Sequence, residues 1–167
     1  MTSYQPDPET VATQSMSSEE LINDLVEDTT SINHVEVIET VIASLQQDES
    51  AMVSQNDSGY LWKFQYGSVE VFVQLTGQTD EDTFKAWSSI LKLPTKDDTR
   101  LMRRLLEMNW AETFEASFGI FEQQIVVLST RTVAELSPGE VSRLITVVAT
   151  IADQNDDALQ SEFGAIE

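Results

Sequence analysis

Carboxylates are the only side chains in this sequence numerous enough to suggest chemistry, and they occur in three clusters, at residues 80–82, 97–98 and 153–157. Paired carboxylates can hydrolyse glycosides or hold magnesium when they converge in a pocket. Asp80, Asp82 and Asp153 are therefore the candidate residues of an acidic hydrolase or a metal-dependent enzyme. Each cluster also has a simpler interpretation, which we favour. Asp97 and Asp98 suit the positive end of a helix, and the other clusters are typical of solvated turns.

Other catalytic side chains are scarce in the sequence. It contains no cysteine and a single histidine, His34. Disulfides, thiolate nucleophiles, zinc–thiolate sites and sites that need two imidazoles are therefore excluded. His34 lies off the apolar stripe of a predicted helix with no nucleophile nearby, so we expect it to have a surface or capping role. No phosphate-binding loop, dinucleotide fingerprint or nucleophile elbow is present. We expect no catalytic residue, metal or cofactor.

The positive charges are confined to the middle of the chain. Nine Lys and Arg stand against 29 Asp and Glu, a formal net charge of −20, and no basic residue precedes Lys63 or follows Arg143. Binding to nucleic acids and anionic membranes depends on basic residues that neutralise phosphates, so this excess of acid counts against both. Neither a secretory signal nor a run of apolar residues long enough to span a bilayer is evident. We expect a cytoplasmic protein that binds neither nucleic acid nor membranes.

Six of the nine basic residues fall between positions 85 and 104. Lys96, Arg100, Arg103 and Arg104 lie on or beside a predicted helix, where they could bind an acidic segment or a small anion. The alternative is that they pair with carboxylates of the same molecule and hold its acidic ends close. We favour this alternative because mixed charge is normal on helix surfaces.

Apolar residues at three- and four-residue spacing predict four helices, which begin near residues 17, 31, 95 and 137. The last helix has the strongest start signal, because Ser137 is followed by Pro138 and, three residues on, by Glu140. We expect this helix to fray from about Asp156 into an acidic tail. The first helix follows a polar segment that contains two prolines, which we interpret as a disordered tail.

Alternating patterns predict strands at 51–53, 60–66, 69–75, 83–93, 114–120 and 125–129. The turn Gly67-Ser68 suits a type II′ hairpin, which would pair Trp62 with Val73 and Phe64 with Val71. The aromatic and valine rows would then share one buried face of the sheet. We predict an α+β fold of two layers, with helices on one face of an antiparallel sheet. The expected domain is 17–157, between acidic tails at 1–16 and 158–167.

The same register turns apolar residues toward the other face of the sheet. Leu61 and Phe72 point outward from the first hairpin, and Val126 and Leu128 do so from the second. Apolar residues on both faces predict that the back of the sheet is covered. The cover could be the N-terminal helix, a second subunit or a client segment, and the sequence leaves these three open. Leu61, Phe72, Val126 and Leu128 are the candidate partner-binding residues.

Three segments resemble the YbjN-like domain family and its cyanobacterial branch: RLMRRLLEMN at 100–109, FEASFGIFEQQIVVLSTR at 114–131 and LSPGEVSRLITVVATIADQND at 136–156. The resemblance covers about residues 31–157, although Glu122-Gln123 stands where the family often has Asp-Gly. It implies the fold of type III secretion chaperones in the order α–β(3)–α–β(2)–α, frequent dimerisation and a protein-binding or regulatory role. The resemblance implies no catalytic residues. We therefore expect a non-enzymatic, chaperone-like or regulatory module that binds a protein client or a second copy of itself.

Overall fold

Six strands form one antiparallel sheet, and three helices pack against it. The computed structural model describes residues 31–46 and 51–165. The tail predicted at 1–16 and the helix predicted from residue 17 lie outside the described residues. In chain order the elements are α1 (His34–Leu45), β1 (Met52–Asn56), β2 (Gly59–Tyr66), β3 (Val69–Leu75), β4 (Thr83–Lys92), α2 (Asp98–Ala111), β5 (Ser117–Phe121), β6 (Gln124–Thr132) and α3 (Pro138–Phe163).

The strand order across the sheet is β1-β2-β3-β4-β6-β5, so β1 and β5 are the edges. Every neighbouring pair is antiparallel, which confirms the predicted α+β class. The strand predicted at 83–93 is present as β4. Four strands therefore precede α2, one more than the family order. None of the described helices, not even the 26-residue α3, is apolar enough along its length to span a bilayer.

The first hairpin has the predicted register. Trp62 pairs with Val73 and Phe64 with Val71, and all four side chains are buried. The turn between the strands uses Gly67 with a φ of 52°. The positive φ favours glycine at this position, and a Cβ there would also push the carboxylate of Asp153 out of its place.

The helix α3 lies across the inner face of the sheet and touches β3, β4, β6 and α1. Its predicted stripe is buried, and the stripe extends through Leu159 and Phe163, each 1% exposed. The prediction that α3 frays from Asp156 was therefore wrong, and residues 158–163 belong to the helix where a tail was expected. Burial of a Leu and a Phe side chain stabilises by about 1.5–3 kcal/mol each, enough to hold two more turns of an acidic helix in place.

Two helix starts differ from the sequence prediction. The first begins at His34, because Asn33 is its N-cap and accepts a hydrogen bond from the backbone N–H of Glu36. His34 is not on the surface. It is 7% exposed and its Nε2 lies 2.8 Å from the carbonyl oxygen of Leu136, just before α3. The imidazole therefore links α1 to the start of α3, a structural role that depends on a contact 102 residues away.

The second hairpin begins later than predicted. Phe114 has a φ of 51° and is 85% exposed, so it belongs to the connection after α2, and β5 begins at Ser117. Similarly, α2 begins later than the predicted residue 95, because Asp97 is its N-cap. Thr95 instead donates from its N–H and hydroxyl to Asp98, and these bonds hold the pKa of Asp98 below its usual range.

Asn109 of α2 fixes the edge strand β5. Its Oδ1 accepts a hydrogen bond of 2.7 Å from the N–H of Phe118, and its Nδ2 donates to the carbonyl oxygen of Phe118 at 3.3 Å. One side chain thus supplies both bonds that another strand would supply. The outward-facing edge of β5 is occupied at Phe118 as a result.

We predict that Asn109→Ala lowers the free energy of unfolding by about 1–3 kcal/mol, because two backbone groups of Phe118 lose their partners. Asn155→Ala is the matched control. Its amide bonds only the carbonyl of Ile151 in its own helix, so its removal should change stability by less than about 0.5 kcal/mol. Urea denaturation followed by circular dichroism measures both. Equal effects would contradict the role assigned to Asn109.

The start of α3 is a capping box, as the sequence predicted. The hydroxyl of Ser137 accepts from the N–H of Glu140, and the carboxylate of Glu140 accepts from the N–H of Ser137 at 3.0 Å. Arg131 also donates to Glu140 at 2.7 Å. The backbone bond from Ser137 and the bond from Arg131 lower the pKa of Glu140 to about 2.

We predict that Glu140→Gln makes the protein less stable at pH 7 but not at pH 2. A depressed pKa means that the native state favours the carboxylate, so the stabilisation is fully present above the ordinary value of 4.5 and is lost as the pH falls toward 2. Urea midpoints of the two proteins should therefore converge between pH 5 and pH 2. A difference that stays constant over this range would contradict the prediction.

Candidate binding face

The acidic cluster at 80–82 lies in the connection between β3 and β4, where Asp82 organises the turn. Its carboxylate accepts hydrogen bonds from the hydroxyl and N–H of Thr79 and from the hydroxyl of Thr76. These bonds, chiefly those from Thr79, hold the pKa of Asp82 below its usual range. Asp80 in the same turn is exposed. Asp82 therefore acts as an internal hydrogen-bond acceptor of the turn.

Asp153 lies at the opposite end of β3 and fastens α3 to the first hairpin. It accepts from the N–H and hydroxyl of Ser68, and the same hydroxyl also donates to the buried Asp156 at 2.7 Å. A seven-residue strand separates this site from Asp82, about 20 Å at the usual rise per residue. The candidate hydrolase residues Asp80, Asp82 and Asp153 therefore do not converge. Within residues 31–46 and 51–165, no three His, Cys, Asp or Glu residues are placed to hold a metal ion.

The basic residues around α2 face carboxylates of the same molecule. Arg100 and Arg104 both form ion pairs with Glu162 in the last turn of α3, and Arg103 lies 4.0 Å from Glu107. Lys96 donates from its backbone N–H to the carbonyl of Phe163. The intramolecular pairing favoured from the sequence is thus present for Arg100 and Arg104. They hold the acidic end of α3 against α2.

The open face is the side of the sheet opposite the three helices, and a row of large side chains crosses it. The registers place Lys63, Phe72, Trp87 and Leu128 side by side on β2, β3, β4 and β6. Phe72 and Trp87 stack with ring centroids 5.3 Å apart and planes 14° apart. The Nζ of Lys63 lies 5.8 Å from the centroid of Phe72. The row is therefore aromatic and aliphatic in its middle and cationic at one end.

A cavity of about 260 Å³ lies beside this row, lined by Gln74, Lys85, Trp87, Ile120, Phe121, Val126 and Leu128. Val126 is 3% exposed and belongs to its floor. Gly119 on β5 makes room for Leu128, because a Cβ there would lie only 2.9 Å from the Leu128 Cδ2. A flat sheet surface is thereby turned into a shallow concavity with an apolar base.

The sequence-predicted site residues are only partly brought together. Phe72, Val126 and Leu128 lie around Trp87, whereas Leu61 lies on β2 opposite Gln74, outside the cavity. Trp87 was missed by the sequence analysis. The alternation of β4 could have indicated its position. Phe84, Ala86 and Ser88 lie on the buried face, so Trp87 lies on the open face.

The fold is shared with solved structures. Eight chains of solved structures match this one. One of them, from the "Crystal Structure of the ExsC-ExsE Complex", has a TM-score of 0.53 and 14% sequence identity, and the match covers 75% of this chain and 94% of that one. This level of identity shows the fold alone. No curated protein sequence matches the chain.

The family model named YbjN, with the description "Putative bacterial sensory transduction regulator", matches residues 34–161. The matched range begins with α1 and ends within α3, so it spans the sheet and all three described helices. The chain belongs to the YbjN family.

Proposed function

We propose that this protein is a non-catalytic cytoplasmic regulator that binds an extended, apolar segment of a client protein on its open face. The observation that carries the proposal is the row Phe72, Trp87 and Leu128 beside its apolar cavity. Apolar side chains on the second face of an antiparallel sheet need a cover, and the described helices all pack on the first face.

The shape of the face favours an extended occupant. The cavity spans four strands, from β3 to β5, beside the Phe72–Trp87 stack, so the alternate side chains of an extended segment can reach it. Trp87 is the expected anchor. It is half-buried in the free protein, and aromatic residues that become fully buried against a partner carry much of the energy of protein interfaces. Lys63 and Glu70, 2.6 Å apart, would form part of the polar rim.

The comparisons support a protein-binding role at a coarser level. The family description names a sensory transduction regulator, and the structural neighbour comes from a complex of ExsC with ExsE. The protein carries a net charge of −20. Because opposite charges speed up association, we expect a client with positive charge near its apolar segment to bind faster than a neutral one. The enzymatic alternative is not supported, because its candidate residues Asp80, Asp82 and Asp153 do not converge. The adaptor alternative would have to displace Glu162 from Arg100 and Arg104.

The proposal predicts site-specific cross-linking on the open face. A photoreactive phenylalanine analogue at position 72 should cross-link one defined client in the native cell. The same analogue at Val53, an exposed residue of β1 on the far edge, should not. Trp87→Ala should then weaken binding of that client at least about 10-fold in a titration with purified proteins, because it removes the expected anchor.

A client that cross-links equally at positions 72 and 53, or that binds Trp87→Ala as tightly as the unaltered protein, would overturn this proposal. Leu128→Ser gives a second test from β6. It should weaken the same client, whereas Leu106→Ser on α2, outside the open face, should leave client affinity unchanged.

A further inference from the structure

The strands of the sheet carry a charge opposite in sign to that of the protein as a whole. Among the described residues, the six strands contain one acidic residue, Glu70, and four basic ones, Lys63, Lys85, Lys92 and Arg131. Arg131 forms an ion pair with Glu140 of α3 and so belongs to the helix side of the sheet. Lys63 and Lys85 lie on the open face. This face is therefore basic in a protein whose net charge is −20.

Lys85 is the basic residue of the open face that lacks a carboxylate partner. The Nζ of Lys63 lies 2.6 Å from Glu70, so these two charges offset each other. Lys85 takes part in none of the ion pairs formed within the part of the chain that the structure describes. Its ammonium therefore carries a positive charge that the described fold leaves unbalanced.

Lys85 also lines the apolar cavity of the open face, together with Trp87 and Leu128. Lys85 and Trp87 are two residues apart on the same side of β4, so their Cα atoms lie about 6.5 Å apart. Side chains two residues apart in any extended segment have the same spacing. A segment that runs along β4 with an apolar side chain in the cavity therefore brings its next side chain on that side to Lys85.

We infer that the client segment bound on the open face is acidic as well as apolar, and that Lys85 binds a carboxylate two residues from the apolar side chain that enters the cavity. The inference rests on the proposed client-binding role and adds the chemistry of the client. Charge complementarity carries it. A carboxylate is the counter-charge for an ammonium without a partner, and the pair is stronger beside apolar groups than in bulk water.

The net charge of the protein is compatible with an acidic segment at this place. Charges on exposed side chains act over about 8 Å at physiological ionic strength. Asp82, the nearest acidic residue before Lys85 in the sequence, is three residues away, about 10 Å at the usual rise per residue. Positive charge elsewhere in the client still speeds its approach, because the net charge acts during the approach and Lys85 acts at contact.

A second copy of this chain fits the open face less well than an acidic segment does. A two-fold contact places the same surface of both copies together. Each copy would bring the unbalanced ammonium of Lys85 into a shared apolar contact, and like charges that meet in an interface oppose association.

The test is the selection of short random peptides, displayed on phage, by the purified full-length protein. The peptides retained should be apolar and enriched in Asp or Glu two residues from a large apolar residue. Lys85→Glu should lose this preference and retain peptides with Lys or Arg at that place, because charge reversal inverts the complementarity. Arg103→Glu is the matched control. It changes the net charge equally on the largely exposed side of α2, and it should keep the preference for acid.

A retained peptide, prepared by synthesis, gives the size of the effect. Lys85→Gln should bind it about 3–10-fold more weakly by fluorescence anisotropy, and replacing the acidic residue of the peptide by its amide should cost the same factor. The two changes together should cost little more than either alone, because they remove the same ion pair.

Two kinds of failure are distinguishable. Apolar peptides without an excess of acid, or the same preference for acid in Lys85→Glu, would overturn this inference and leave the proposed function standing. Retention of no apolar peptide, as expected if a second copy or another part of the chain covered the face, would overturn both. Peptides that bind Trp87→Ala as tightly as the unaltered protein would also overturn both.

Discussion

The burial of α3 against the inner face of the sheet is the interaction on which the rest of the structure depends. Ten residues of this helix are buried, from Val141 to Phe163, and the strands beneath contribute side chains such as Val71, Phe84 and Ile125 that are fully inaccessible. Side chains alternate along each strand. When one set packs against α3, every second residue must therefore point to the other face of the sheet. The open face with Phe72 and Trp87 is the direct consequence.

Acidic residues hold this helix in place, and two of them, Asp153 and Asp156, belong to a cluster that first suggested chemistry. Glu140 fastens its start, Asp153 and Asp156 bind the first hairpin through Ser68, and Glu162 binds α2 near the end. A chain so rich in acid thus uses several of its carboxylates as hydrogen-bond acceptors and ion-pair partners spaced along one helix. Short hydrogen bonds to charged groups are each stronger than neutral ones, so together these fix the position of α3 along the sheet.

The parts of the fold that could be predicted are those determined by residues close together in the sequence. The first hairpin could be predicted in register because a two-residue turn with Gly67 fixes which residues face each other. The start of α3 could be predicted because its cap lies within four residues. The end of α3 could not, because the acidic sequence around Asp156 concealed Leu159 and Phe163, whose burial depends on distant partners. His34 and Asn109 were likewise misjudged or unnoticed, since each bonds a backbone group brought near only by the folded chain.

For the open face, the sequence predicted which residues lie on it but not the shape of the site. Alternation placed Phe72, Val126 and Leu128 on one side, but the shape of the site depends on Gly119 and Ile120 of an edge strand whose side chains meet neighbours across the sheet. Ile120 lines this cavity and also a cavity of about 360 Å³ between α2 and β5. Alternation predicts which face of a strand a side chain uses, but it does not predict which cavities an edge residue lines, because an edge strand has a hydrogen-bonded neighbour on one side only. The position of β5 is set from outside the sheet, by the two bonds between Asn109 of α2 and Phe118. The wall of the open face is therefore fixed by a contact between a helix and an edge strand that no pattern within the strand indicates.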